Sequence, residues 1–321
     1  MTSERQTFTP VPGWVFGLIA GTGAYTLLVI LWGALVRITG SGAGCGQHWP
    51  TCHGEVMPLA PTFETVIEFT HRTTSGLCLL AVMIAAMCSI ATTSKGHPIR
   101  RPAALSMLFI VTEALIGAAI VLLEYVAENE SYWRAAWMAL HLVNTFMLTF
   151  ALGAMGWYAR SPIRARVASL GRLRPAFITL VAAVLVTSMA GAVSALGQTL
   201  FPALPEQTLM EHVTQDPYAN TPYPMLLRLM HPVIALTVSA GLAWFANAAR
   251  HRLSTPWMRR WADMLLISVG AEVVAGFVNV GLSAPGWMQL VHLALANAVW
   301  LSLWATCAAV ATQSVMSREA A

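Results

Sequence analysis

Residues Glu68 to Gly76 read EFTHRTTSG, and 160 positions after His71 the stretch Leu227 to Ala235, LRLMHPVIA, carries His231. Both histidines stand in segments otherwise suited to hydrocarbon, where an ionisable ring is costly to bury and tends to mark a site. Of the 321 residues 57% are hydrophobic and 10% charged, well under half the charged fraction of about 25% typical of a soluble domain. Eight apolar stretches of roughly 19 to 28 residues are each long enough to cross a hydrocarbon layer about 30 Å thick. They run from Trp14 to Val36, Glu64 to Ala91, Pro102 to Leu123, Ala135 to Tyr158, Ala176 to Leu196, Leu226 to Ala249, Met264 to Leu282 and Met288 to Ala311. The fold class is therefore an all-α polytopic membrane protein.

The charges between stretches alternate by side. Fourteen of the eighteen lysines and arginines fall in the N-terminus, in every second connection and in the C-terminus: Arg5; Lys95 to Arg101; Arg160 to Arg174; Arg250 to Arg260; and Arg318. The positive-inside rule makes those segments, and both termini, cytoplasmic. The net charge of +4 then needs no nucleic-acid partner. The other side holds acids such as Glu55, Glu124, Glu128, Glu206, Glu211 and Asp216. The first apolar stretch is too long for the core of a signal peptide and lacks a cleavage motif, so it is expected to remain as a span.

The eight spans divide into two sets of four that correspond. LLVILWGALVRITG (Leu27 to Gly40) and AVLVTSMAGAVSALG (Ala183 to Gly197) align Gly33 with Gly191. In the third and seventh spans TEALIGAAIV and AEVVAGFVNV align Glu113 with Glu272 and Gly117 with Gly276. In the fourth and eighth, ALHLVNTF and LVHLALAN align His141 with His292. Each set holds an even number of spans, so the copies have parallel topology and a pseudo-twofold axis along the membrane normal is expected. The expected architecture is two four-helix bundles, 1–159 and 175–321, joined by an Arg-rich cytoplasmic linker, 160–174.

His71, His141, His231 and His292 each lie in an even-numbered span, some four to seven residues from its outer end. At about 1.5 Å per residue this puts all four within the outer leaflet. Two imidazoles from facing helices of a bundle suit the axial positions of a haem iron, so His71 with His141 makes one candidate site and His231 with His292 another. Zinc fits less well, because it wants three or four converging ligands in each half.

The halves are unequal. Glu68 precedes His71 by three residues on the same helix face, and the matching position is Arg228. Glu68 is either a proton acceptor or charge stabiliser beside a reacting haem, or a helix-start carboxylate that pairs with Arg72. Glu113 and Glu272 each stand four residues before a glycine; they are expected to be structural or to hydrogen-bond near haem propionates. Only the first half carries the loop SGAGCGQHWPTCHG, Ser41 to Gly54. Cys78, Cys88 and Cys307 lie in apolar stretches and read as packing residues.

GALVRITGSGAGCGQHWPTCHGEVMP followed by IEFTHRTTSG resembles the first-half signature of the haem A synthase family, and the twofold repeat with a histidine in each even span matches that family over nearly the whole chain. Gly40, Ser41, Gly42, Cys45, Trp49, Pro50, Cys52, Gly54, Pro58, Glu68, His71, Arg72, Ser75 and Gly76 all fit. The resemblance implies an oxidoreductase that converts a methyl group of haem O to the formyl group of haem A by successive hydroxylation, for assembly of haem-copper oxidases. On this chain it implies that His71 and His141 ligate the substrate haem, that Glu68 is catalytic, and that His231 and His292 ligate a haem b cofactor. It further implies a bacterial plasma membrane location, a haem O synthase as the source of substrate, an electron acceptor that leaves no mark in the sequence, membrane lipid as surroundings and room for a homo-oligomer.

Members of that family with a second cysteine pair place it between the fifth and sixth spans, where this chain has none. Cys45 and Cys52 would face an oxidising compartment in which a disulfide persists. The pair then either staples a lid over the outer-leaflet pocket or exchanges electrons during turnover. His48 and His53 lack the Cys-x-x-Cys-His spacing of covalent haem attachment and are expected at the solvated rim. Two other functions use the same histidines: a dihaem b electron-transfer protein, and a haem-binding chaperone without turnover.

Overall fold

The computed structural model describes residues 8, 10–161, 163, 167–200 and 222–320, with 222–229 and 318–320 described as helical backbone alone. Among these residues eight helices are long and apolar enough to cross a membrane, and the protein is an integral membrane protein. They are α1 Gly13–Ile38, α2 Phe63–Ala91, α3 Arg100–Leu122, α4 Tyr132–Arg160, α5 Arg174–Leu200, α6 Pro222–Arg250, α7 Pro256–Gly281 and α8 Gly286–Ala320. A single turn of tighter helix, Ser41–Ala43, and a longer tight stretch kinked at Gly171, Val167–Leu173, lie in the connections. The expected loop between α5 and α6, with Glu206, Glu211 and Asp216, lies outside the described residues, as do Arg5, Arg164, Arg166 and the side chains of Arg228 and Arg318.

Most helices outrun their apolar stretches. The α4 helix begins at Tyr132 because Ser131 caps it, its hydroxyl accepting the Arg134 N–H at 3.3 Å. The α2 helix begins at Phe63 behind Thr62, which accepts from the Thr65 N–H, with Glu64 in the first turn where the helix dipole favours an acid. The α7 helix starts eight residues before the apolar stretch does, with Pro256 in its first turn, where a missing N–H costs nothing. Hydropathy marks what crosses the hydrocarbon, whereas caps decide where helix starts.

Each run of four closes on itself: α1 meets α2 and α4, and α3 meets both α2 and α4; in the second run α5 meets α6 and α8, and α7 meets both α6 and α8. The runs join through α1, α4, α5 and α8. In the apolar windows of α4 and α8, 56% and 61% of residues are buried, against 17–28% in the other six helices, so α4 and α8 form the centre. Aromatic rings stitch them together: Phe146 stacks on Trp300, whose indole N–H donates to the Phe146 carbonyl at 2.7 Å. One turn deeper Phe150 meets Trp304 edge to face. The outer six helices expose residues such as Leu28, Leu80, Leu108, Val186, Ile267 and Phe277, a surface suited to lipid rather than water.

Candidate functional site

In the first half, α2 lays His71 against α1 at Gly33. A Cβ added at Gly33 would sit 2.9 Å from His71 Cε1 and 3.1 Å from Nε2, so only glycine leaves room for the ring there. The second half repeats this contact. A Cβ at Gly191 would sit 2.9 Å from His231 Cε1 and 3.4 Å from its Nε2.

The partner histidines come from the central helices, and each meets an acid from the neighbouring helix. His141 Nδ1 lies 3.4 Å from Glu113 Oε1, and His292 Nδ1 lies 3.3 Å from Glu272 Oε2. The sequence-based expectation for these two acids named no histidine partner. The signal was present, since both the glutamate and the histidine repeat, but an all-apolar helix does not disclose which face meets its neighbour.

His231 and His292 have ring centres 6.4 Å apart, with planes at 87°. Two metal–imidazole bonds of about 2 Å each, with about 1 Å from nitrogen to ring centre on either side, would place the centres about 6 Å apart. That pair therefore has the spacing of two axial ligands on one iron. The Nδ1 atoms of all four histidines are buried without a hydrogen-bond partner, whereas none of their Nε2 atoms is among such atoms. Rings that coordinate through Nε2 would leave Nδ1 turned into the protein, as found. Among the described residues no cluster of three or more His, Cys, Asp or Glu side chains is arranged to hold a metal ion.

Glu68 is 3% exposed, and its contacts are those of a clamp. One carboxylate oxygen accepts the Cys45 N–H at 2.8 Å; the other accepts from Arg72 Nε at 3.0 Å and from Arg72 Nη2. Arg72 Nη1 then donates to the carbonyls of His48 and of Thr51, the latter at 2.6 Å. In this geometry Glu68 pairs with Arg72, and together they hold the cysteine loop onto α2.

The loop itself is tightly built. Cys45 and Cys52 form a disulfide and are fully buried. Gly44 touches the first turn of α2: a Cβ there would lie 2.4 Å from the Glu64 carbonyl carbon, and the Thr65 hydroxyl donates to the Gly44 carbonyl at 2.7 Å. His48 and His53 are exposed, and His53 Nε2 is 2.9 Å from the Gly44 carbonyl. Both sit at the rim. Cys78, Cys88 and Cys307 are free thiols.

Residues 16–304 match a family model, COX15-CtaA, described as cytochrome oxidase assembly protein. A Thermus thermophilus protein named "Protoheme IX farnesyltransferase" is 42% identical over 292 residues, which are 90% of this chain and 48% of that protein. "Heme A synthase" of Shouchella clausii is 44% identical over 105 residues, 33% of this chain and 34% of its own. "Heme A synthase" of Halalkalibacterium halodurans is 41% identical over 107 residues, 33% and 35% of the two chains. The chain thus spans about half the length of its Thermus relative.

Proposed function

Because the chain belongs to the COX15-CtaA family of cytochrome oxidase assembly proteins, we propose that it is a haem A synthase, oxidising a methyl group of haem O to the formyl group of haem A. The observation that carries this reading is the duplicated histidine pair, of which the first copy has the Glu68, Arg72 and disulfide clamp above it, whereas the sequence of the second has Arg228 at the Glu68 position and no cysteine between α5 and α6. On this reading His71 and His141 hold substrate haem in the N-terminal bundle, and His231 with His292 hold haem b in the C-terminal one. When bound, the substrate haem supplies the methyl carbon to be oxidised, and haem b supplies a route for electrons. The chain's own contribution is to orient the substrate ring between His71 and His141 and to cover it with the loop that Glu68 and Arg72 fasten. Glu68, three residues before His71 on the same helix face, is the acid this reading assigns as proton acceptor or charge stabiliser beside the substrate haem.

The reading includes two bundles related by a twofold axis along the membrane normal, both termini cytoplasmic and the cysteine loop outside a bacterial plasma membrane. The Thermus relative bears the name of a farnesyl transfer to protohaem and is about twice the length of the matched segment. Its unmatched part is proposed to correspond to the haem O synthase activity that supplies the substrate.

Expressing the protein with a source of haem O and separating the extracted haems by chromatography tests the function. Haem A or its hydroxylated intermediate is expected with the wild type and not with Glu68→Ala. The Glu68–Arg72 ion pair favours a second reading, a dihaem electron-transfer protein in which Glu68 only anchors the loop. Unchanged haem O alongside normal redox cycling of bound haem b would establish that one instead.

A further inference from the structure

We infer that Glu113 and Glu272 are positioning residues for His141 and His292, each accepting the histidine Nδ1–H, and that the unequal anchoring of these two carboxylates makes the two iron sites electronically different. The inference rests on the proposed haem ligation by these histidines.

An imidazole that binds metal through Nε2 carries its remaining proton on Nδ1, and an N–H left without an acceptor in apolar surroundings is costly. His141 and His292 have buried Nδ1 atoms with no other partner, and a glutamate oxygen lies 3.4 Å and 3.3 Å away respectively. A small rotation of either side chain makes the bond. Carboxylates in this position fix ring orientation and strengthen the ligand.

The same contact is embedded differently in the two halves. Asn144 Nδ2 and the Thr145 hydroxyl both donate to Glu113. Asn144 also donates to the Phe109 carbonyl at 2.9 Å, and its own Oδ1 accepts from the Thr112 hydroxyl at 2.7 Å. The repeat puts Ala271, Leu295 and Ala296 where the first half has Thr112, Asn144 and Thr145. None of their side chains donates. Among the described residues Glu272 Oε2 has no hydrogen-bond partner and faces His292. Glu113 therefore divides its lone pairs among several donors, whereas Glu272 keeps Oε2, which no other donor among the described residues shares, for one ring. The consequence is a His292 with more anionic character and a haem b iron whose oxidised form is favoured.

The experiment is a redox titration of haem b in the intact protein, with low-spin electron paramagnetic resonance spectra, for the wild type, Glu272→Gln, Glu272→Met, and Leu295→Asn combined with Ala296→Thr. Both Glu272 variants are expected to keep haem b and raise its midpoint potential, Met more than Gln because Gln retains an acceptor. The double variant, which leaves Glu272 in place, is expected to raise the potential by giving that carboxylate the donors Glu113 has, and it keeps the idea testable if the Glu272 variants fold poorly. Haem-loaded protein with potentials and spectra unmoved in all of them would overturn this inference alone. A wild type that binds no haem b, or a His292→Ala protein that binds it normally, would overturn the ligand reading beneath it.

Discussion

The Arg37 guanidinium donates to the Ala195 carbonyl at 2.9 Å, and Ala195 is the residue that takes Arg37's own place in the second half of the repeat. From the end of α1 the same side chain reaches the Thr199 hydroxyl at 2.8 Å on α5 and Gln289 Oε1 at 2.9 Å on α8. A residue that breaks the symmetry between the halves is thus also one that joins them. Planar and forked, the guanidinium serves three acceptors on two helices from two separate nitrogens, whereas a lysine would have to serve all three from one point charge.

Removing that junction has a measurable cost. Arg37→Ala leaves these acceptors without their charged donor and is expected to lower stability by about 3 kcal/mol, in line with loss of charge-assisted hydrogen bonds. Arg37→Lys should fall between it and the wild type. Unfolding in detergent, followed by circular dichroism, reads the difference; an unchanged midpoint in Arg37→Ala would show that the packing of α1, α4, α5 and α8 holds the halves together without this junction.

Gly33 and Gly191 offer a matched pair of substitutions. Alanine at either position puts a methyl 2.9 Å from the Cε1 of the facing histidine, closer than carbon atoms pack, so the ring must move. Gly191→Ala is expected to lower bound haem b several-fold while leaving substrate haem in place, and Gly33→Ala the reverse. Haem content by pyridine haemochrome and chromatography separates the two. Equal losses in both variants would argue against two independent sites.

How much of this was legible in the sequence follows from the kind of signal involved. The eight spans, the repeat and the four histidines depend on length and recurrence, which survive in one dimension. The approach of Glu113 to His141 depends on which face α3 turns toward α4, and an almost wholly apolar helix has no polar face to declare it. Arg72 was readable as a partner of Glu68 from their spacing of four. Its grip on the carbonyls of His48 and Thr51 was not, because backbone acceptors carry no residue identity. Gly44 is similar: its need to be glycine comes from the Glu64 backbone, twenty residues away.

That grip bears on the disulfide. Cys45 and Cys52 are fully buried and their loop is tied to α2 through Glu68, Arg72 and Thr65, an arrangement suited to a staple more than to thiol exchange. Replacing both cysteines with serine is expected to cost about 2 to 3 kcal/mol on the chain-entropy model while haem A formation by the folded fraction continues. Loss of all haem A from protein that still folds and binds haem would instead assign the pair a redox role. Gly44→Ala, which drives a methyl into the Glu64 backbone, should loosen the same loop and speed reduction of the disulfide by added thiol.

Outside the spans, His97 makes stability depend on pH. It is buried in the turn between α2 and α3, its Nδ1 accepts the Ile99 N–H at 3.2 Å, and Phe8 meets its ring edge on. Burial first, and then the nearby Arg100 charge, hold its pKa below the ordinary 6.5. The unfolded chain therefore takes up a proton near pH 6.5 that the folded chain declines until lower pH, and stability falls as pH drops through that interval. At higher pH the ring is neutral in both states and the effect vanishes. In His97→Gln the part of the slope below pH 6.5 that belongs to this ring is expected to disappear from a plot of melting temperature against pH. If variant and wild type run parallel through that range, His97 is protonated in the folded protein and the turn tolerates its charge.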